Sequence, residues 1–306
     1  MNAAASVRES TAVVRGRLLR DEPMARHTSW RVGGPADRFF EPADREDLIA
    51  FVRALVPTEP VLWLGLGSNL LVRDGGWRGT VISLHGALDA LQLEDGEPQV
   101  IVAEAGVHCA RLSKFAERGG WAGLGFMAGI PGTVGGALAM NAGAWGGETW
   151  NRVIDAELIF RDGHVERVAN AEIHYGYRHV EMPAQALGFL GARFAVERDA
   201  NGEYAQQTRE SLARRKATQP VGKPSAGSTF RNPPGDHAAR LIEACGLKGF
   251  AIGGAEVSTL HANFLIAEAG ARAADVEALV EHVRSTVRRQ TGVDLQPEVR
   301  IVGVAQ

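Results

Sequence analysis

Gly129-Ile-Pro-Gly-Thr-Val-Gly-Gly136 is a stretch in which the backbone, with few side chains to shield it, is free to approach something closely. Pro131 fixes one backbone angle there, while Gly132, Gly135 and Gly136 remove the side chains that would keep a bulky ligand off the main chain. The stretch lies within residues 119–147, which hold 11 of the chain's 37 glycines. A second glycine turn, Gly65-Leu-Gly-Ser-Asn69, follows a buried strand expected over residues 61–64. Amides of such a turn can converge on a phosphate. It is not a complete G-x-G-x-x-G fingerprint, because Leu70 stands where the third glycine belongs. The two turns together suit a dinucleotide whose pyrophosphate is held by backbone amides of both. Tight sheet-on-helix packing in a glycine-rich fold is the competing reading.

Outward from these turns, the chain has the composition of a folded protein: 306 residues, 45% of them hydrophobic. That length allows two or three domains, each with its own core. Lys and Arg number 33 against 36 Asp and Glu, a net charge of -3, so no nucleic-acid partner is expected. Cys109 and Cys245 are too few and too far apart for a disulfide scaffold or a metal clip, and no metal site is expected. The first twenty residues interleave arginines with short apolar stretches and offer no signal-peptide core, and no segment approaches the roughly 20 apolar residues of a membrane span. A cytoplasmic protein without membrane insertion is expected, with an N-terminal tail over residues 1–20, loosely ordered up to about residue 12.

The remaining pattern mixes strand and helix. Apolar positions at helical spacing follow Asp44, strands are expected at 81–84 and 100–103, and residues 108–118 read as a helix stopped by Gly119-Gly120. Residues 153–160 and 164–168 read as a hairpin and 189–197 as a further strand. Residues 207–248 then carry eight Lys/Arg against three acids, a local charge of +5 in a chain whose total is -3. The end of the chain reads helix (236–245), strand (263–267), helix and strand (298–302). The second helix bears the stripe Val276, Leu279, Val280, Val283, Val287. In the last strand Val299 and Ile301 would face the core, and Glu298 and Arg300 the opposite side.

Several ordered motifs carry a family resemblance. They are His27-Thr-Ser-Trp-Arg-Val-Gly-Gly-Pro-Ala-Asp37, the two glycine turns, Asn141-Ala-Gly143, Gly176-Tyr-Arg178, Pro224-Ser-Ala-Gly-Ser-Thr-Phe-Arg-Asn-Pro233, His261-Ala-Asn-Phe264 and Gln296-Pro-Glu-Val-Arg300. On these the chain resembles the UDP-N-acetylenolpyruvoylglucosamine reductases, flavoenzymes of peptidoglycan precursor synthesis. It looks like their short form, lacking a tyrosine-bearing lid. The resemblance implies an α+β chain: an FAD-binding half of the vanillyl-alcohol-oxidase/PCMH type in two subdomains (21–84 and 85–205), then a C-terminal α/β substrate-binding domain (206–306).

What the resemblance implies for the site is specific. Gly65, Leu66, Gly67, Ser68, Asn69 and Leu70, with Ala128, Ile130, Pro131, Gly132, Thr133 and Gly136, would wrap non-covalently bound FAD, with Asn141 and Gly143 nearby. Tyr177, Arg214, Lys223, Arg231 and Asn232 would meet UDP-N-acetylglucosamine enolpyruvate, and NADPH would be the hydride donor. Arg178 and Glu298 would stabilise an enolate-like state, and Ser228 would protonate the carbon beside the ether oxygen. Read without the family, Arg178 also fits a surface arginine after a turn, Ser228 ordinary turn chemistry and Glu298 a solvent-facing strand position. His27 and His261 fit structural hydrogen bonding, and Trp145 and Trp150 packing. His179-Val180 departs from the family pattern after Tyr-Arg. Two other function classes share this scaffold: a flavin oxidase using oxygen and an alcohol, separable by oxygen uptake against NADPH consumption, and a catalytically idle flavin or nucleotide-sugar binder, which would tolerate loss of Ser228 and Glu298.

Overall fold

The computed structural model describes residues 14–306. The tail expected up to about residue 12 lies outside the described residues, but the boundary at 20 is corrected: Arg17–Pro23 is already a strand, paired antiparallel with Pro35–Glu41. Those two strands open a four-stranded sheet in which Trp77–Ser83 and Val61–Leu64 follow in parallel. Helix α1 (Arg45–Ala54) packs here because Asp44 caps it, accepting from the Asp47 amide, while Leu48, Phe51 and Val52 turn inward.

A second sheet is five-stranded and antiparallel, in the order Val165–Ala169, Val153–Phe160, Ala186–Ala195, Val100–Glu104, Leu91–Glu94. The expected 153–168 hairpin is its edge. Helices α2 (Cys109–Arg118) and α3 (Val134–Met140) bring Leu112, Val134 and Leu138 into one core with Trp150 and Phe194. Trp150 is thus a packing residue, its indole N–H donating to the Leu138 carbonyl at 2.9 Å.

Helix α4 (Glu203–Thr218) was not legible as a helix, since its polar surface buries only Thr208. After it come α5 (Ala238–Ala244), a small antiparallel sheet of Ala251–Ile252, Ala255–Val257 and Leu265–Ala267, and α6 (Ala273–Thr291). The α6 stripe is core as expected, each such side chain contributing about 1.5–3 kcal/mol by burial. Trp30 and Val32 from the first unit complete that core, and the Trp30 indole N–H donates to the Leu265 carbonyl at 2.8 Å. The last strand starts at Arg300, not Glu298: Arg300–Val302 runs parallel to Leu70–Val72, returning the chain terminus to the first unit. The crevice lies where these three units meet.

Candidate active site

The two glycine turns come together, and their glycines divide into two kinds. A β-carbon on Gly65 would lie 2.5 Å from Thr133 Oγ1, and one on Gly135 would lie 2.9 Å from the Ala105 β-carbon, so these two serve close packing. On Gly136 the nearest atom would be Thr133 Oγ1 at 3.8 Å, and on Gly132 it would be Ser68 Oγ at 3.5 Å. A β-carbon at those two would meet only ordinary contacts, so the protein's own packing does not demand glycine there, and both border a cavity. Thr133 organises the turn as N-cap of α3, its hydroxyl accepting from the Gly136 amide.

Three cavities of about 510, 270 and 150 Å³ share Asn69 and Met140 and form one continuous crevice. Gly65, Leu66, Gly67, Ser68, Leu70, Ile130, Pro131, Gly132, Thr133, Gly136 and Gly143 border it along with Asn69. Ala128 does not border it; it sits in the short 3-10 turn Gly125–Gly129. Asn141 is corrected. It is fully buried, with both amide groups consumed inside the protein, so it supports the site without touching a ligand.

Arg178, Glu298 and Ser228, drawn from three distant parts of the chain, all line the 270 Å³ cavity. Backbone pairing explains the meeting. The Glu298 amide donates to the Thr229 carbonyl, Phe230 bridges Pro297, and the Asn69 side chain donates to the Glu298 carbonyl at 3.1 Å. Thus the glycine turn from Gly65 to Asn69 holds the segment that carries the acid. Glu298 and Arg300 project on the same side, as alternation predicts, and that side borders the crevice, with Glu298 largely buried and Arg300 exposed.

Arg178 is the second residue of the two-residue turn joining Tyr175–Gly176 to His179–Val180. Its φ of +55° costs a side-chain-bearing residue about 1–2 kcal/mol, strain of the kind held at functional positions. Its Nε donates to Glu298 Oε1 at 3.1 Å, and its terminal nitrogens to the carbonyls of Asn141 at 3.3 Å and Gly143 at 2.8 Å. Three of five N–H donors are so engaged, which leaves two for a ligand. The two side chains are only 15% and 14% exposed. Burial pushes the Glu298 carboxyl above the usual range, and this outweighs the lowering by Arg178 and Arg231.

Tyr177 and Asn232 border the same cavity, Tyr177 lying against Arg178 with the guanidinium carbon 4.9 Å from its ring centre. Arg231 borders the larger one, and its buried Nε has no partner among the described residues. Two expectations are corrected. Lys223 is exposed beside Glu268 at 3.5 Å, and Arg214 faces solvent on α4. One residue along a helix is a turn of about 100°, so Arg215, which shares a face with buried Thr208 seven residues earlier, takes the inward place. It borders the crevice and donates to the Gly129 carbonyl at 2.9 Å. Burial lowers its pKa, and among the described residues no carboxylate pairs with it. Arg215 and Arg300 are the site cations that the sequence reading passed over. The seven-residue step from Thr208 to Arg215 is the signal that could have found the first.

His27 stacks on Phe39 and bonds Glu22, and His261 Nδ1 accepts from the Asn263 amide, so both are structural. Among the described residues no cluster of His, Cys, Asp and Glu could hold a metal ion, and no helix is long and apolar enough to cross a membrane.

Gly132 and Gly136 bordering the crevice and the orphaned Arg231 Nε fit a large anionic ligand, and the fold is the FAD-binding α+β type. Such a fold with an acid, an arginine and a serine at one cavity defines an FAD-dependent oxidoreductase. Residues 36–169 match the FAD binding domain family, and residues 219–302 match the UDP-N-acetylenolpyruvoylglucosamine reductase C-terminal domain. The chain is 56% identical over 291 residues to the reductase of that name from Alkalilimnicola ehrlichii, covering 95% of this chain and 96% of that one. It is 52% identical over 305 residues to that from Methylococcus capsulatus, covering 98% and 99%. Its fold matches the crystal structure of the reductase from Thermus caldophilus with TM-score 0.79 at 32% identity, over 94% of this chain and 98% of that one. The chain belongs to the UDP-N-acetylenolpyruvoylglucosamine reductase family.

Proposed function

We propose that Arg178, Glu298 and Ser228 carry out the chemistry by which UDP-N-acetylglucosamine enolpyruvate is reduced to UDP-N-acetylmuramate at the expense of NADPH. The observation behind this reading is the single cavity that all three side chains line, which Ser68 and Asn69 of one glycine turn and Gly129 to Pro131 of the other also border. FAD, held by the residues of the two glycine turns, would supply the hydride chemistry that links NADPH to the terminal alkene carbon. Arg178 offers two free N–H donors to the substrate carboxylate as electron density moves into it. Glu298, whose pKa burial raises, donates a hydrogen bond to the same developing charge when it carries its proton. Ser228 gives its hydroxyl proton to the carbon beside the ether oxygen.

Arg231 and Arg215 answer to the diphosphate and carboxylate charge of the substrate, with Tyr177 and Asn232 at the rim. Cation against anion in a partly desolvated crevice is a charge-assisted contact. Arg215→Ala is expected to raise KM for the nucleotide sugar about tenfold with kcat little changed, as loss of one such contact of about 1.4 kcal/mol implies. Arg214→Ala is expected to leave both constants where they were. Steady-state kinetics on the pair checks the inward and outward placement directly.

FAD is retained without a covalent bond. Cys109, beside His108, is fully buried and its thiol is pushed up to about 12, so it remains protonated and unreactive. We assign residues 17–84 and 85–205 to FAD and 206–299 to the substrate, with the strand Arg300–Val302 counted in the first unit, and place the reaction in the cytoplasm, where NADPH is drawn on. The test is optical. The purified protein is expected to be yellow, to bleach with NADPH under anaerobic conditions, and to recover its colour on addition of the enolpyruvyl UDP-sugar. A colourless protein, or colour regained only with oxygen, overturns the reading.

A further inference from the structure

Arg178 can act only if its guanidinium is held in one place, and the groups that hold it converge on a residue outside the crevice assignments. Two of its three anchors are main-chain carbonyls, those of Asn141 and Gly143. Asn141 ends α3 in the left-handed region at φ +48°, and its side chain ties three pieces of chain together. Its amide nitrogen donates to the Gly176 carbonyl at 3.0 Å, at the base of the turn bearing Arg178, and to Glu148 Oε2 at 3.0 Å, while its oxygen accepts from the Trp150 amide at 3.0 Å.

Glu148 lies directly across the Gly143–Ala144 and Gly147–Glu148 ladder from Gly143, the other carbonyl that grips Arg178. The fit around Gly143 is close. A β-carbon there would lie 2.3 Å from the Gly147 carbonyl oxygen, 3.1 Å from an Arg178 terminal nitrogen and 3.1 Å from Glu148 Cγ. Glycine therefore lets the guanidinium and the Glu148 stem both approach the place a side chain at position 143 would take. No salt bridge joins Glu148 to Arg178, so its influence runs through Asn141 and the ladder.

We propose that Glu148 is a positioning residue for Arg178: its carboxylate orients the Asn141 amide, and Asn141 and Gly143 then present the two carbonyls that aim the guanidinium. This rests on the role given above to Arg178. A guanidinium displaced by about 1 Å loses much of its value in stabilising charge that develops only during reaction, while steps that do not use that charge are spared. The carboxylate acts here as an acceptor of the right reach, so a neutral acceptor of equal length replaces it and a shorter anion does not.

The experiment compares Glu148→Gln, Glu148→Asp and Glu148→Ala in the FAD-loaded enzyme. Stopped-flow absorbance follows the two half-reactions separately. Wild-type enzyme run alongside establishes whether the enolpyruvyl UDP-sugar reoxidises the flavin at all, which tests the functional reading apart from this proposal. The alanine and aspartate variants are expected to slow reoxidation by the enolpyruvyl sugar about 10- to 100-fold while NADPH reduction and the flavin spectrum stay at wild-type values. The glutamine variant is expected to recover to within about threefold of wild type. If the alanine variant yields no folded protein, the aspartate and glutamine pair decides alone. Equal slowing of both half-reactions, no slowing, or a glutamine variant as poor as the aspartate overturns the proposal.

Discussion

Arg178→Ala is expected to slow reduction of the enolpyruvyl sugar about 10³-fold, at the upper end of what removing a preorganised donor costs. NADPH-dependent flavin reduction is expected to stay within about threefold of wild type, because that half-reaction develops no charge on the carboxylate. The size follows from the geometry. Arg178 sits in a strained turn, is tied by three bonds, and keeps two donors free, so its cost was met in folding and not at the moment of reaction. Arg178→Lys restores the charge but not the fork, and is expected to recover no more than about tenfold.

The same variant carries a pH signature with a definite sign. Burial raises the Glu298 pKa, and Arg178 is the largest influence opposing it. Removing the guanidinium leaves burial less opposed, so the folded-state pKa rises further. An acid with a higher pKa keeps its proton to higher pH. Whatever activity remains in Arg178→Ala should therefore fall off at a more alkaline pH than in wild type. An unmoved or more acidic limb would mean that Glu298 does not work in its protonated form.

Much of this site was legible because its pieces are short motifs whose residue types suit one job. Gly132 and Gly136 read as side chains withheld from a ligand, and both border the crevice, where a β-carbon would meet only ordinary contacts. Gly65 and Gly135 came from the same two runs, yet they serve packing, a distinction that needs the neighbours Thr133 and Ala105, which no spacing rule supplies. Asn141 shows a similar limit. Its type allows ligand contact, and only the three-dimensional partners Glu148, Gly176 and Trp150 reveal that its amide is spent. The C-terminal core was legible from the α6 stripe, whereas Trp30 entering it from 235 positions away was not, since contacts between remote segments leave no local period. The helix α4 escaped because its buried face is one threonine and one arginine wide, too narrow to register as an apolar stripe.

Ser228→Ala is expected to slow the enolpyruvate half-reaction about 10²- to 10⁴-fold, the range that positioned proton transfer contributes. The substitution removes one hydroxyl from a segment that is otherwise fixed. Gly227 sets the bend at φ +72°, the Thr229 amide donates to the Asn263 carbonyl, and the Asn263 side chain clamps both the amide and the carbonyl of Phe230. The fold should therefore remain, and flavin reduction by NADPH with it. Serine is a weak acid in water, so it can serve only where the accepting carbon is strongly basic and little bulk water competes, and the flanking Arg178 and Glu298 supply the charge that lets such a carbon form. Cysteine, with a pKa near 8.5, is a stronger acid of similar size, and Ser228→Cys should regain part of the lost rate and show a changed solvent isotope effect. If alanine slows both half-reactions alike, or if Ser228→Ala and wild type share one solvent isotope effect, the proton comes from elsewhere and the hydroxyl is a bystander.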